Sequence, residues 1–221
     1  MSLARARTFL LGTYHDLPNV LFIGCLVLGA ITGYLPLVWL SLGLMLNGAV
    51  VAILQGLMSF LFPTWSQVAV PANSLACDVF AKVAGSGSRG GVSIVAPSHW
   101  LAAAVFFATF SIYNSARVAM KEPARGASAD KVDNRRAFSL STLVIGLVFL
   151  GLIFFRGFTG CETWLGSVLG AVVGGSSAVA YWHILDACGT GLIPDVLQVV
   201  GSLAPSGSDT VPVVCSPPPQ K

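Results

Sequence analysis

An all-helical integral membrane fold with about five spans and a small extramembrane loop domain is predicted by three features of the sequence. Hydrophobic residues make up 55% of the 221 and charged residues only 10%, against roughly 25% charged in an ordinary soluble domain. Five apolar runs come near or exceed the roughly 20 residues that carry a helix through a bilayer. Six of the 12 lysines and arginines fall between two of those runs, an asymmetry typical of membrane loops. So few charges cannot cover a globular surface, so lipid or a large partner must surround the chain. A net charge of +3 is too small to indicate nucleic acid.

The first segment, 1–17, carries Arg5 and Arg7, but its apolar core is only "FLLG". A secretory signal needs roughly 7–15 apolar residues there, so the segment is read as an amphipathic foot at the membrane interface, ending at His15 and Asp16. Spans one and two, 18–34 and 36–62, form a helical hairpin that turns at Tyr34-Leu35-Pro36, because proline starts a helix and stops the one before it. Cys25, mid-span, reads as a small apolar residue.

Segment 63–96 is an extramembrane loop domain, poor in charge and rich in Gly, Ser, Pro and β-branched residues. It is longer than the roughly 12–15 residues usual for a bare loop. A short helix is expected near 73–85, capped by Asn73 or Ser74, followed by a flexible "GSGSRGG". Cys77 here and Cys161 fall on one predicted side of the membrane. A disulfide between them requires that side to be oxidising, and sequence alone does not fix the pairing. Cys188 and Cys215 fall on the other side.

The region 97–185 holds spans three to five, at 97–116, 138–155 and 163–185. Only the fourth lacks a strongly polar residue. The loop 117–136 between spans three and four contains Arg117, Lys121, Arg125, Lys131, Arg135 and Arg136. The positive-inside rule places it on the cytoplasmic side or its equivalent. The loops 63–96 and 156–163 and the amino terminus then lie outside, the carboxyl tail inside. Arg5 and Arg7 argue the other way, with the smaller excess. The basic loop suits anionic headgroups or an acidic partner, or serves orientation alone.

In span five, Gly166, Gly170 and Gly174 make a double GxxxG, a face on which two helix backbones approach closely. Gly29 and Gly33 repeat the spacing in span one. The expected partner of span five is therefore span one of the same chain, the alternative being self-association between copies. Beyond that face come Tyr181 and Trp182, suited to the headgroup level, and the pair His183 and Asp186, which share a helix face and read as a structural polar pair. A short amphipathic helix is expected within 186–204, started by Pro194 and Asp195. The Pro- and Ser-rich tail 205–221 cannot form a packed core.

Catalytic chemistry has little footing. No cysteine pair has CxxC spacing and the histidines lie far apart in sequence, so neither a metal nor a cofactor site is predicted. "APSHW" (96–100) and "YWHILDACG" (181–189) resemble in part type 2 phosphatidic acid phosphatases, which would imply a histidine nucleophile and a second histidine with an acid. The resemblance lacks the glycine between Ser98 and His99, the arginine before His183 and the lysine–arginine motif before Pro97. The predicted topology also sets His99 and His183 on opposite sides. A transport path is disfavoured, because Asn47, Gln55 and Asn114 are the only strong polar groups clearly within spans.

The order "LPNVLF…GAITGY" (17–34), "PSHW…YN" (97–114), "VDNRRA" (132–137), "RGFTGCET" (156–163) and "ACGTGLIPDVL" (187–197) resembles small multi-span membrane proteins of large nucleocytoplasmic DNA viruses. That resemblance implies a non-enzymatic structural or assembly component of the virion inner membrane or the capsid–membrane interface. Its partners would be the lipid bilayer and other membrane or capsid proteins, with no catalytic or cofactor residue to carry over. Two further alternatives are an accessory subunit of an organellar energy-transducing complex and the lipid-phosphate phosphatase.

Overall fold

A computed structural model describes residues 16–62, 67–70, 92–120, 129–158, 164–189 and 192–193. Proline opens the first two helices. Helix α1, Leu17–Thr32, has Pro18 in its first turn, where the missing N–H is no loss. It ends at Gly33, whose φ of 67° is left-handed, a conformation that favours glycine because it has no Cβ. Helix α2, Leu35–Leu61, restarts at once with Pro36. The two form an antiparallel hairpin. Gly29 lets them close: a Cβ there would meet the Val38 backbone nitrogen at 3.0 Å.

The all-helical expectation omitted one element. Strands β1 (Gln67–Val70) and β2 (Val92–Val95) pair antiparallel, Gln67 opposite Val95 and Val70 opposite Val92. The signal was present in the β-branched alternation of "QVAV" and "VSIV". This ribbon frames the segment between its strands. The helix expected near 73–85 lies outside the described residues.

Helix α3, His99–Met120, begins after a cis Ala96–Pro97 bond. Ser98 caps it, its Oγ accepting from Leu101 N–H at 3.1 Å. Helix α4 runs Ala129–Phe158 and helix α5 Trp164–Cys188. Gly189, with φ 141°, terminates α5, and Leu192 and Ile193 pack back against the core.

Helix α3 is the hub and packs against each of the other four helices. Alternating chain direction makes α1, α3 and α5 run one way, α2 and α4 the other. One core cluster lies towards the α1–α2 turn, with Leu40, Leu44, Phe106, Phe110, Tyr181, Trp182 and Leu185. The other lies towards the ribbon, with Trp100, Leu101, Ala104, Val105, Ala108 and Ile153. The outward faces are almost entirely large and apolar, including Ile23, Ile31, Ile53, Phe60, Ile145, Val148 and Val172.

Helices α2, α3 and α5 are long and apolar enough to cross a membrane. Helix α1 and the apolar stretch of α4, Ser139–Phe154, are shorter. Helix α4 starts well before the expected 138. Ser128 is a cap-type residue and no glycine or proline interrupts the chain from 129 to 145, so the helix extends outward through charged sequence. Residues 117–120 and 129–136 of the basic region are thus helical. Arg117 belongs to α3, and Lys131, Arg135 and Arg136 belong to α4. Lys121 and Arg125 lie outside the described residues, as do 1–15 and the tail.

Candidate functional site

The glycine row of α5 lies directly against the start of α3. Ser98 N–H donates to the carbonyl of Gly166 at 3.0 Å, a backbone hydrogen bond between two chain segments. A Cβ on Gly170 would stand 2.8 Å from the Ser98 carbonyl oxygen. One on Gly174 would collide with the carbonyl oxygen of Ala102 and lie 3.0 Å from its carbonyl carbon. Gly166, Gly170 and Gly174 therefore face the start of α3. The partner is α3, not the first span, and the face is buried within the chain, which leaves no room there for a second copy. The spacing indicates how closely a neighbour can approach but not which neighbour. Helix α3 matches it with its own small residues, Ser98 and Ala102, which lie against Gly170 and Gly174, whereas α1 is engaged by α2. Gly29 and Gly33 do not act together either: Gly29 admits α2 and Gly33 makes the turn.

Polar side chains tie the helices together on both sides of this seam. Asn47, only 2% exposed, faces α5, where Ser177 Oγ lies 2.7 Å from its Oδ1 and 2.6 Å from the Val173 carbonyl. Asn47 Nδ2 has no partner among the described residues. Two turns along the same face of α2, Gln55 Nε2 donates to the Pro97 carbonyl at 2.7 Å. His99 lies over Gly48 of α2, where a Cβ would come within 3.2 Å of its Nε2.

At the other end of the seam, Trp182 Nε1 donates to Asn114 Oδ1 at 3.2 Å. Tyr113 meets the Trp182 ring edge-on at 5.0 Å between centroids, and His183 does so at 5.2 Å. Arg117 places its guanidinium carbon 5.2 Å from the centre of the same ring. Tyr181 OH donates to the Trp39 carbonyl at 2.7 Å. His183 is not paired with Asp186. Its Nε2 lies 3.1 Å from Tyr113 OH, and Asp186 is exposed, with no ion pair among the described residues. The spacing of three put both on one face, but α3 supplied a competing partner.

His99 and Tyr113 are separated by roughly 21 Å of helix rise, and His183 touches Tyr113. The two histidines therefore stand at opposite ends of the seam, far beyond the roughly 3 Å that a nucleophile and its base require. Among the described residues no three His, Cys, Asp or Glu side chains gather as a metal-ion set. Cys25 is buried and Cys188 exposed, both as free thiols, while Cys77 and Cys161 lie outside the described residues. Arg117 and Arg136 are exposed. An open groove of about 550 Å³ runs along the outer face of α1, past Asp16, Val20, Gly24 and Val27.

Sequence reasoning missed the Tyr113–Trp182–His183 cluster. A signal existed: in a five-span chain, spans three and five run in the same sense, which brings their carboxyl-terminal ends to one level. No protein-family model, curated protein or solved structure matches the chain.

Proposed function

We propose that the chain is a five-span membrane protein with a structural or assembly role and no catalytic one. One observation carries this reading: the polar side chains within the spans serve helix-to-helix contacts, while the outer faces present large apolar residues. Asn47 meets Ser177, Asn114 meets Trp182, and Gln55 meets the Pro97 carbonyl. A protein built that way faces lipid and holds its own helices in place.

The 16 residues of α1 rise about 24 Å, a little under the roughly 30 Å hydrocarbon thickness. Local thinning of the bilayer accommodates such a shortfall at modest cost. Helix α4 spans with its apolar part and extends its charged first turns beyond the bilayer. The sequence resemblance to viral multi-span proteins points to a virion inner membrane, with capsid or membrane proteins as neighbours. Chemical crosslinking in the native membrane, followed by purification and mass spectrometry, tests the reading. Reproducible crosslinks to a small set of membrane or shell proteins are expected. A chain that crosslinks to none and turns over a substrate as a purified monomer would overturn it.

A further inference from the structure

Trp182 is clamped on several sides. It is 4% exposed, its Nε1 is bonded to Asn114, and Tyr113 and His183 stand edge-on to it. The indole is therefore a fixed plate, and Arg117 lies against it as a cation on a π face. That stacking orients the guanidinium without consuming its N–H donors. Arg117 is exposed and has no ion pair with a carboxylate among the described residues, although Asp186 is one turn from Trp182 on α5. His183 is similarly half committed. When the Tyr113 hydroxyl donates to Nε2, the ring proton resides on Nδ1, a donor on an exposed side chain.

The level of this cluster matters as much as its chemistry. Arg117 is about 28 Å of helix rise from Ser98 at the opposite end of α3. Trp182 is about 27 Å from Trp164 on α5. Both separations approximate one hydrocarbon thickness, roughly 30 Å. Trp164 is exposed at one end and Trp39 at the other, as aromatic residues are at the two interfaces, while Tyr113, Tyr181 and Trp182 pack inside at the Trp39 end. Arg117 and His183 then stand where lipid phosphates lie. Arg136 is exposed further out along α4. That helix runs antiparallel to α3, and its Gly146 meets Ile112.

We propose that Arg117 and the Nδ1 of His183, held against the Trp182 plate, form a binding site for the phosphate of an anionic phospholipid. Arg117 donates its planar fork to the phosphate oxygens, and His183 Nδ1–H supplies a further donor. Asp186 at the rim disfavours anions and limits the affinity. The site rests on the membrane-spanning reading, because only a bilayer brings lipid phosphates to that level.

The test uses the full chain reconstituted in nanodiscs of phosphatidylcholine, alone or mixed with phosphatidylglycerol. Native mass spectrometry after release counts the retained lipids. The wild type is expected to keep phosphatidylglycerol in preference to phosphatidylcholine. Arg117→Gln should lower that retention about tenfold, the scale of a lost hydrogen bond to a charged group. His183→Phe, which keeps an aromatic ring against Trp182, should lower it several-fold. Arg136→Gln should change little. Added inorganic phosphate separates two sources of the same chemistry. Retention that survives it assigns the site to lipid, and displacement with phosphate itself retained assigns it to a soluble phosphate. Equal retention by wild type and Arg117→Gln, or an equal loss in Arg136→Gln, would overturn the site in favour of diffuse basic attraction. Failure of the wild type to integrate into phosphatidylcholine nanodiscs would instead sink the membrane reading beneath it.

Discussion

At Gly174 a single hydrogen atom decides whether two helices can touch. The carbonyl of Ala102 occupies the space a Cβ would need, and carbonyl groups of a helix cannot swing aside as a flexible side chain can. Gly174→Ala should therefore destabilise the fold by about 2 kcal/mol, within the usual range for overpacking, read by reversible unfolding in mixed micelles. Gly24 is the internal control, since nothing lies within 4 Å of a Cβ there. Gly24→Ala should be neutral or stabilise by up to about 1 kcal/mol through helix propensity. Equal losses in the two variants would mean that glycine matters here for something other than close approach. The sequence made Gly174 visible because GxxxG is a local pattern. It could not reveal Gly43, whose Cβ would meet the Tyr181 ring at 2.5 Å, because that constraint comes from a residue far along the chain. His183 follows the same logic: its helix face is a local property, its partner Tyr113 is not.

Among the helices, α3 organises the rest. Its small residues accept α5, while Asn114 and Ser98 supply polar anchors near its two ends. Helix α2 packs less extensively on α5 than α3 does, so its polar bond to α5 carries more of the specificity of that pairing. The Asn47–Ser177 pair can be measured by a double-mutant cycle. Asn47→Ala and Ser177→Ala should show a coupling near 0.6 kcal/mol, the average for such bonds in a membrane protein. Ser177 also bonds its own helix at Val173, which lowers the loss when Asn47 is removed. A coupling indistinguishable from zero would show that packing alone holds α2 against α5. Helix positions were legible from apolar runs and from the prolines and glycine of the first hairpin. Helix ends were less so. The expected start of α4 followed the loss of hydrophobicity near 138, whereas the backbone stays helical through the charged residues that precede it. The ribbon was overlooked because two four-residue strands separated by 21 residues give each other no local signal.

For the molecule as a whole, the membrane-spanning reading ties orientation to which end carries the charge. The ends of α3 and α5, the start of α4 and the α1–α2 turn share one end, and Arg117 and Arg136 are exposed there with the rest of the basic region joined to them. The ribbon, the start of α3 and Trp164 share the other. Cytoplasmic loops retain lysine and arginine, so the first end should face the cytoplasm or its equivalent. Arg5, Arg7, Lys82, Arg89 and Arg156 fall in the segments of the other end, five charges spread over three segments against six concentrated in 117–136. In a variant lacking the five native cysteines, a cysteine placed in 85–91 should be labelled by an impermeant reagent from outside. One placed in 125–130 should react only after permeabilisation. Neutralising Lys131, Arg135 and Arg136 together removes half of the six basic residues of 117–136 and leaves the five opposing charges in place, so a mixed population with both sites partly labelled is expected. If 125–130 is labelled from outside in the unmodified background, the molecule sits the other way up. If the triple variant keeps one orientation, the basic residues do not set it. The ribbon end would then hold that role through the difficulty of moving its polar segment across the bilayer.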